Sequence, residues 1–366
     1  MPLPVKLEPD SLLGGLSREE DDSPVIDTVW YRADAVGDGL EYRFPAGLLR
    51  GAQYLTADML LDGEEAGVFT LELQEGADGP IFQLGYGLLP GASARMRIPL
   101  AAVTQNRGQY EREGTWVKPH VGGQRVDLKR VDRMRITVSM QAEAATRWCM
   151  TPVIVTAAAP LKLAQPTLPE GPLLDEFGQS TRRRWPGRSR SADEVNKRLL
   201  AQLRDAPAQR WPDGFSKWGG WSAHQFDTTG YFHTHWDAAA ERWWLVDPEG
   251  YAFWSAGQAG VRPSVEADVT GLENALTWLP DVTDVEYTLA VRQQDERLFV
   301  DYLQANLVRA FGPNAWPTNW MEIALAQLRR AGFNTLGSGS DWQIASDAGF
   351  PYVRALTPPP GCCSTP

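Results

Sequence analysis

Four polar side chains in the second half of the chain follow two segments with the pattern of buried strands. Arg262 comes after the first segment, and Asn334, Ser340 and Asp341 lie at or beyond the end of the second. Carboxyl ends of parallel strands meet at one edge of a sheet, where barrel folds place their ligand sites. Guanidinium, amide, hydroxyl and carboxylate groups can bond to the hydroxyl groups of a sugar. The pattern therefore predicts a site for a polyhydroxylated ligand.

Each of these residues also has a structural alternative. Arg262 could pair with a neighbouring acid instead of a ligand. Asn334, Ser340 and Asp341 are residue types that favour caps and turns, because their short polar side chains bond to nearby backbone groups.

Other residues with catalytic or metal-binding chemistry are weaker candidates. His233 and His235 share one face of a predicted strand, but without a third ligand they favour an exposed hairpin over a metal site. Glu249 lies in the turn segment 247–250, at the wrong end of the next strand for a barrel acid. The three cysteines, including Cys149 in an apolar strand, have no zinc or disulfide spacing. We therefore expect no metal and no cofactor.

The elements around the candidate residues have the pattern of a β/α fold. A hairpin leads to a predicted strand over 251–257, and helices are predicted over 286–311 and 318–331. The second helix ends at a glycine and leads directly into the strand candidate 333–336. Strand, helix, tight turn and strand form a βα unit of a parallel sheet or barrel.

The first half of the chain shows short alternating strands separated by Gly-rich turns. This pattern predicts a β-sandwich of the jelly-roll type over residues 25–158. Its aromatic residues Tyr86, Trp116 and Trp148 could stack on a sugar, but core positions are the favoured interpretation. The predicted strands are 54–61, 68–73, 81–86, 95–100, 134–140 and 151–156.

Local composition predicts the domain organisation. Residues 1–24 are polar and acidic and predict a flexible N-terminal arm. The Pro-rich residues 159–172 predict a linker. Residues 173–355 mix helical and aromatic segments, and Ser191 and Glu194 predict a capping box at the start of a helix.

Overall composition narrows the class of protein. A hydrophobic fraction of 43% and a charged fraction of 22% are typical of soluble globular proteins. The net charge of −11 argues against nucleic acid and anionic membranes as partners. No signal peptide or membrane span is recognisable, so the chain as written is expected in the cytoplasm. Tryptophan is abundant, with 15 residues, and its indole rings can fill cores or stack on sugars.

Short motifs are spread over residues 25–355. They are ADMLLDG at 57–63, YGLLP at 86–90, GTWVKP at 114–119, VDRM at 131–134, RWCMTP at 147–152, DEFGQ at 175–179, WPG at 185–187, GYF at 230–232, WLVDPEG at 244–250, VR at 261–262 and GFNTLG at 332–337. Each motif alone is weak, but their order and spacing together resemble the β-agarases of glycoside hydrolase family fifty.

The resemblance implies a carbohydrate-binding-module-like jelly roll followed by a (β/α)8 TIM barrel. It also implies retaining hydrolysis of β-1,4 galactosidic links in agar-type galactan by two carboxylates. In the family these carboxylates come from later strands, and no position of this chain matches them, so no catalytic residue is carried over. We expect an incomplete barrel, truncated before its catalytic carboxylates. The Pro- and Cys-rich tail at 356–366 suggests a frameshift or premature end.

One departure from the family pattern concerns an aromatic residue. After 334–337 the family continues Asn-Trp-Ser-Asp, whereas this chain continues Ser-Gly-Ser-Asp and places its tryptophan one position later. The resemblance therefore adds Trp342 to the candidates. The predicted substrate-binding residues are Arg262, Asn334, Ser340, Asp341 and Trp342.

Two functions follow. The first is a β-agarase-like glycoside hydrolase chain that binds agarose-like polysaccharide or oligosaccharide without cleaving it. The alternative is a non-catalytic carbohydrate-binding module protein. Members of the resembled family are often secreted, in contrast to the cytoplasmic location expected from the chain as written.

Overall fold

The chain folds into two compact units that are rich in β-strands and have few helices. The computed structural model describes residues 3–104, 114–140, 145–163 and 165–355, and the predicted tail at 356–366 lies outside them. The first unit comprises Met1–Arg188, Asp268–Leu279 and Asp295–Leu298. The second unit comprises Ser189–Ala267, Pro280–Gln294 and Phe299–Pro366. The first unit thus continues beyond the predicted linker at 159–172.

Alternation of apolar residues explains the strands of the first unit. In the strand that begins at Gly67, Phe69, Leu71 and Leu73 are buried and the residues between them are half-buried. Successive side chains of a strand point to opposite faces, so one face is buried. The strands are β1 Val5–Leu7, β2 Ser11–Leu13, β3 Ser17–Glu19, β4 Val29–Ala33, β5 Gly39–Arg43, β6 Tyr54–Asp62, β7 Gly67–Glu75, β8 Ile81–Leu88, β9 Ser93–Pro99, β10 Trp116–Gly123, β11 Val131–Met140, β12 Thr146–Met150 and β13 Val153–Thr156.

These strands form two antiparallel sheets that pack on each other. One sheet has the order β1-β13-β6-β12-β4-β3, with β9 also paired to β6, and the other has the order β10-β8-β7-β11-β5-β2. The ring centroids of Trp148 in β12 and Phe69 in β7 lie 5.2 Å apart across the two sheets. One cluster of buried hydrophobic side chains from both sheets fills the space between them.

The sandwich aromatics belong to this core. Trp116 and Tyr86 are 1% exposed and Trp148 is fully buried, which confirms the core interpretation. Burial raises the pKa of Tyr86, so its phenol stays neutral and bonds to Met59 Sδ at 3.7 Å. None of these three rings is accessible for stacking on a sugar.

The flexible arm predicted at 1–24 is wrong for residues 5–19, which form three strands. β1 pairs with β13, β2 with β5 and β3 with β4. Val5 and Leu7 are buried while Lys6 between them is exposed. The polar composition of the segment misled the prediction because edge strands of this kind bury only one face.

The remaining strands and all four described α-helices follow in the rest of the chain. The elements are α1 Ala192–Asp205, β14 Trp221–Gln225, β15 His233–Asp237, β16 Arg242–Val246, β17 Tyr251–Phe253, β18 Gly257–Gln258, β19 Ala267–Asp268, β20 Val291–Gln294, β21 Arg297–Val300, α2 Tyr302–Phe311, α3 Trp316–Arg330, β22 Thr335–Leu336 and α4 Trp342–Asp347.

The strand predicted over 251–257 is two strands that belong to different sheets. β17 lies in an antiparallel sheet of order β14-β17-β16-β15, whereas β18 pairs in parallel with β22. A Cβ on Gly257 would lie 2.0 Å from the carbonyl oxygen of Thr335, so only glycine permits this close approach. An apolar run does not by itself show where a strand changes partners.

The helix predicted over 286–311 is correct only in its second part. Residues 291–300 form β20 and β21, separated by a turn in which Asp295 has φ of +53°. Asp301 then begins α2, and its carboxylate accepts a hydrogen bond from the amide of Gln304 at 3.0 Å. The helix predicted over 318–331 is confirmed as α3, with its start two residues earlier.

The capping box at the start of α1 is confirmed with one change. The hydroxyl of Ser191 accepts a hydrogen bond from the amide of Glu194 at 3.2 Å. The carboxylate of Glu194 accepts from the amide of Arg190 at 2.8 Å, one residue before the predicted partner.

The parallel β/α connection is present. Gly257 pairs with Thr335 and Gln258 with Leu336, and α2 and α3 lie between the two strands in sequence. Leu336 forms a further parallel bridge to Tyr352. Within the described ranges, no helix has the length and apolar character needed to cross a membrane.

Candidate functional site

The carboxyl ends of β18 and β22 lie together, as predicted. The amide of Gly260 donates to the carbonyl of Ser338 at 3.0 Å, and the amide of Asp341 donates to the carbonyl of Val261 at 3.1 Å. The hydroxyl of Ser340 accepts from the amide of Val261 at 3.0 Å. These bonds bring Arg262 close in the chain fold to Ser340 and Asp341, and we call this region the strand-end site.

Arg262 presents a free guanidinium at the strand-end site. Its side chain is exposed, and no ion pair or side-chain hydrogen bond to it occurs among the described residues. The alternative of a structural ion pair is therefore not observed in that part of the chain. A guanidinium with five unused donors can bind hydroxyl groups or an anion.

Asn334 has a structural role instead of the predicted ligand contact. Its side chain is 2% exposed. Its Nδ2 donates to the carbonyls of Gly219 at 2.7 Å and Trp254 at 3.0 Å. Its Oδ1 accepts from the amide of Ala256 at 2.9 Å and the hydroxyl of Thr335 at 3.2 Å. All four bonding positions of the amide are therefore occupied. Asn334 precedes β22, so it lies at the end of that strand away from the strand-end site.

Trp342 and Asp341 begin the short helix α4 beside the site. The carboxylate of Asp341 makes no cap bond. The Trp342 ring lies 5.7 Å from the Tyr352 ring between centroids, and the guanidinium carbon of Arg354 lies 4.3 Å from its centroid. The Arg354 stack covers part of the half-buried indole and adds a cation that the sequence did not indicate.

A second surface was missed at the sequence level. We call the sheet of β14, β17, β16 and β15 the aromatic sheet. Trp236 of β15 stands directly opposite Trp243 of β16, their ring centroids are 5.6 Å apart, and they are 46% and 64% exposed. Leu245 is also exposed on the same face. The alternation of this hairpin was visible in the sequence, but not which face would lack a cover.

The other face of the aromatic sheet carries a mixed cluster of rings and charges. The guanidinium carbon of Arg242 lies 4.1 Å from the Trp244 centroid, and His224 stacks on Trp221 with centroids 5.4 Å apart. His224 Nε2 lies 3.3 Å from Asp237 Oδ2. Hydrogen bonds donated by the backbone amides of Ala240 and Ala239, together with the hydrogen bond from His224, lower the pKa of Asp237.

The two histidines singled out in the sequence have ordinary contacts. His233 Nδ1 lies 2.9 Å from the hydroxyl of Thr229, and the His235 ring packs on Phe226 with centroids 4.2 Å apart. No group of three or more potential metal ligands occurs in the part of the chain that the structure describes.

Glu249 lies in the turn expected for it. Its amide donates to Asp247 Oδ1 at 2.9 Å, as does the amide of Tyr251 at 3.0 Å. Its carboxylate lies 3.9 Å from Lys217 Nζ. These contacts give Glu249 the environment of an ordinary turn residue.

The carboxyl groups of the described residues favour the ionised form wherever a shift is evident. A general acid of a glycosidase needs a raised pKa so that it carries a proton. At Asp175, burial raises the pKa, but bonds from Arg188 and from Gln179 outweigh it and the net shift is downward. The described carboxyl groups with a lowered pKa are Asp38, Glu41, Asp175, Asp237 and Asp281.

Comparisons with known proteins agree with the resemblance seen in the motifs. No family model matches the sequence. Beta-agarase B of Vibrio sp. (strain JT0107) is 27% identical over 210 residues, which cover 50% of this chain and 22% of that protein. The chain thus resembles the β-agarases of glycoside hydrolase family fifty, and the matched part spans about a fifth of that curated relative.

Solved structures similar to this chain include the following three. PfGH50B is 17% identical, with 97% of this chain and 57% of that chain covered and a TM-score of 0.47. An agarase, AgWH50C, is 15% identical, with 94% and 55% covered and a TM-score of 0.47. An exo-beta-agarase is 17% identical, with 95% and 57% covered and a TM-score of 0.47.

Proposed function

We propose that this chain is a β-agarase-like glycoside hydrolase segment that binds agar-type galactan, the substrate of β-1,4 galactosidic hydrolysis. We further propose that its 366 residues bind the polysaccharide without cleaving it. The similarity to Beta-agarase B supports the class of protein. The observation that carries saccharide binding is the exposed aromatic sheet.

The fold interpretation belongs to the same proposal. We interpret the two packed sheets as a carbohydrate-binding-module-like jelly roll, and β18, α2, α3 and β22 as the start of a (β/α)8 barrel. The parallel pairing of Gly257 with Thr335 and of Gln258 with Leu336 supports the second interpretation. Ligand sites of such barrels lie at the carboxyl ends of the strands, which is where Arg262 and Ser340 lie.

Exposed aromatic side chains are concentrated in the second unit. Trp185 is the one large exposed aromatic of the first unit within the described ranges. Flat, solvent-accessible rings with polar neighbours are what a sugar needs for stacking on its C–H face, and such exposed apolar surface usually marks a binding site. The exposed aromatics of the second unit are Phe215, Trp221, Tyr231, Phe232, Trp236, Trp243, Trp254 and Tyr352.

Retention on agarose beads tests the binding proposal. We expect the protein to be retained and to be released by neoagaro-oligosaccharide. Replacing both Trp236 and Trp243 by Ala should weaken retention about tenfold, because an aromatic contact contributes about 0.5–1.5 kcal/mol. Trp185→Ala, which removes an exposed indole from the first unit, is the matched control and should bind as before. Unchanged retention of the double variant would rule out the aromatic sheet as the binding surface.

Release of reducing sugar from agarose tests the second half of the proposal. Retaining hydrolysis needs two carboxylates, one of them protonated at neutral pH. The proposal assumes that the family's catalytic carboxylates have no counterpart in this chain. The shifted carboxyl groups of the described residues are shifted toward the charged form, which supports it. We expect no release above a blank without protein. Sugar release that rises with protein concentration would show the proposal to be wrong.

The alternative of a non-catalytic carbohydrate-binding module protein also predicts retention on agarose and no release of reducing sugar. The two proposals differ in where on the chain the saccharide binds. If the first unit is a self-sufficient binding module, the Trp236 and Trp243 replacements leave retention intact. The burial of Trp116, Tyr86 and Trp148 in the first unit favours the aromatic sheet.

A further inference from the structure

A large cavity lies within the second unit, away from the strand-end site. Its volume is about 950 Å³, which is near the upper end of the range of small-molecule sites. Trp211, one of its walls, donates from Nε1 to the carbonyl of Phe333 at 3.0 Å, just before β22 begins. The cavity is therefore near the amino end of β22, opposite the end that carries Ser340.

Arg329 of α3 supplies an unpaired cation to this cavity. Its guanidinium carbon lies 5.5 Å from the Trp211 centroid and 5.3 Å from the Phe350 centroid. The side chain is half-buried, yet no carboxylate or other acceptor bonds to it among the described residues. The two rings and the carboxyl end of α3 stabilise the charge in part, but neither provides an anion.

Two more cations line the same cavity. Arg210 lies near enough that its charge, after burial, lowers the pKa of Arg329, although a guanidinium remains charged at neutral pH. Lys217 is the third. The acids Glu322 and Asp347 also line the cavity, but both are exposed and neither pairs with Arg329. Arg210 Nη1 donates to the carbonyls of Pro207 at 2.6 Å and Gln209 at 2.9 Å, which are neutral acceptors. Both arginines line the cavity, so an anion between them would relieve the repulsion of their charges.

We propose that this cavity binds an oxyanion, with Arg210 and Arg329 as its donors and the Trp211 ring as an apolar wall. Arginine forks match the paired oxygens of a sulfate, sulfate ester or carboxylate. The anion is either free in solution or carried on a sugar ring packed against Trp211. The sugar-borne source rests on the proposed function, whereas the anion site itself does not.

Isothermal titration calorimetry at low ionic strength with sodium sulfate, galactose 6-sulfate and galactose tests the inference. We expect sulfate and galactose 6-sulfate to bind and neutral galactose not to bind at this site. Arg329→Gln should weaken both about tenfold, as expected for loss of a charged hydrogen bond. Arg330→Gln removes an exposed cation from the next position of α3 and should change neither affinity. Tighter binding of the sulfated sugar than of sulfate would identify a sugar-borne anion, and equal binding a free one.

Other outcomes would overturn the inference. If Arg329→Gln binds sulfate as the unchanged protein does, or if Arg330→Gln loses as much affinity, the result is an adventitious ion only. Should Arg329→Gln fail to fold by circular dichroism, Arg210→Gln, at an exposed position, must show the same loss. Retention on agarose, a neutral matrix, should be unaffected by Arg329→Gln, so failure of the two proposals can be told apart.

Discussion

A single buried amide, that of Asn334, joins the segments that lead into the strand-end site. Its four hydrogen bonds reach Gly219, Trp254, Ala256 and Thr335. The sequence identified Asn334 as important but assigned it to a ligand. The saturated amide favours the structural alternative, because Asn334 precedes β22 and so lies at the end of the strand away from Ser340.

Replacing Asn334 by Asp should destabilise the second unit strongly. The carboxylate has nearly the same shape, but it cannot donate to the carbonyls of Gly219 and Trp254. Each buried group left unsatisfied costs about 1–3 kcal/mol, and a buried charge costs more. Urea unfolding followed by tryptophan fluorescence should show a lower midpoint for Asn334→Asp. The exposed Asn314→Asp is the matched control, and equal midpoints for the two variants would contradict the role given to Asn334.

Trp148 has the corresponding role in the first unit, where it is fully buried between the sheets. Trp148→Ala removes the edge-on contact with Phe69 and leaves a cavity. Substitutions of this kind cost about 3–5 kcal/mol. We expect a lower urea midpoint of the first unit, measured by loss of its circular dichroism signal. Trp185→Ala should have little effect, and a similar effect of both changes would argue against the two-sheet core.

At the scale of elements, strands with a regular alternation of buried residues were predicted from the sequence. The point at which a predicted strand changes its pairing partner was not. β6, β7, β8 and β11 were foreseen because their buried faces alternate regularly. The break after β17 was not foreseen, because it depends on the contact of Gly257 with Thr335, far along the chain. The segment before α2 was predicted as part of one helix, but the turn at Asp295 divides it into two strands.

The loop between β4 and β5 is held by a carboxylate with a clear pH dependence. Asp38 accepts from the amides of Gly15 at 2.7 Å, Ala35 at 2.9 Å and Asp34 at 3.0 Å. Burial raises the pKa of Asp38, but these bonds outweigh it, and the pKa is lowered from 3.8. A carboxyl group with a lowered folded-state pKa adds stability above its unfolded pKa of about 3.9. That contribution is lost as the pH falls through the folded-state value.

Asp38→Asn, which imitates the protonated form, should therefore flatten the acid dependence of stability. We expect the thermal midpoint of the unchanged protein to fall as the pH drops from about 5, one unit above that unfolded pKa, down through the lower folded-state pKa. The midpoint of Asp38→Asn should start lower and fall less over this range. A replacement at the exposed Asp34, which contributes only its amide to Asp38, serves as the comparison. Parallel pH profiles for Asp38→Asn and the unchanged protein would remove Asp38 as the cause.

At the scale of the whole molecule, the two units differ in how they bury their aromatic residues. Of the 15 tryptophans, 12 lie at or after Trp185, which the sequence alone shows. The sequence favoured core positions for Trp116 and Trp148, but it could not show that Trp236 and Trp243 face solvent. That difference depends on which sheet faces are covered by a second layer, and coverage is set by contacts between distant segments.

This difference predicts unequal resistance to proteolysis. The first unit has one large hydrophobic cluster between two sheets, so its strands should open only when that core unfolds. The second unit has separate smaller clusters, one around Met321 and Leu325 and another around Leu307 and Trp316. We expect chymotrypsin to cleave first within 215–267, where aromatic side chains are exposed. Cleavage within 268–355 should follow later, and residues 25–104 should stay intact. Hydrogen exchange measured by mass spectrometry should give the same order. Equal protection of both units would mean that the small clusters of the second unit unfold as cooperatively as the sandwich core.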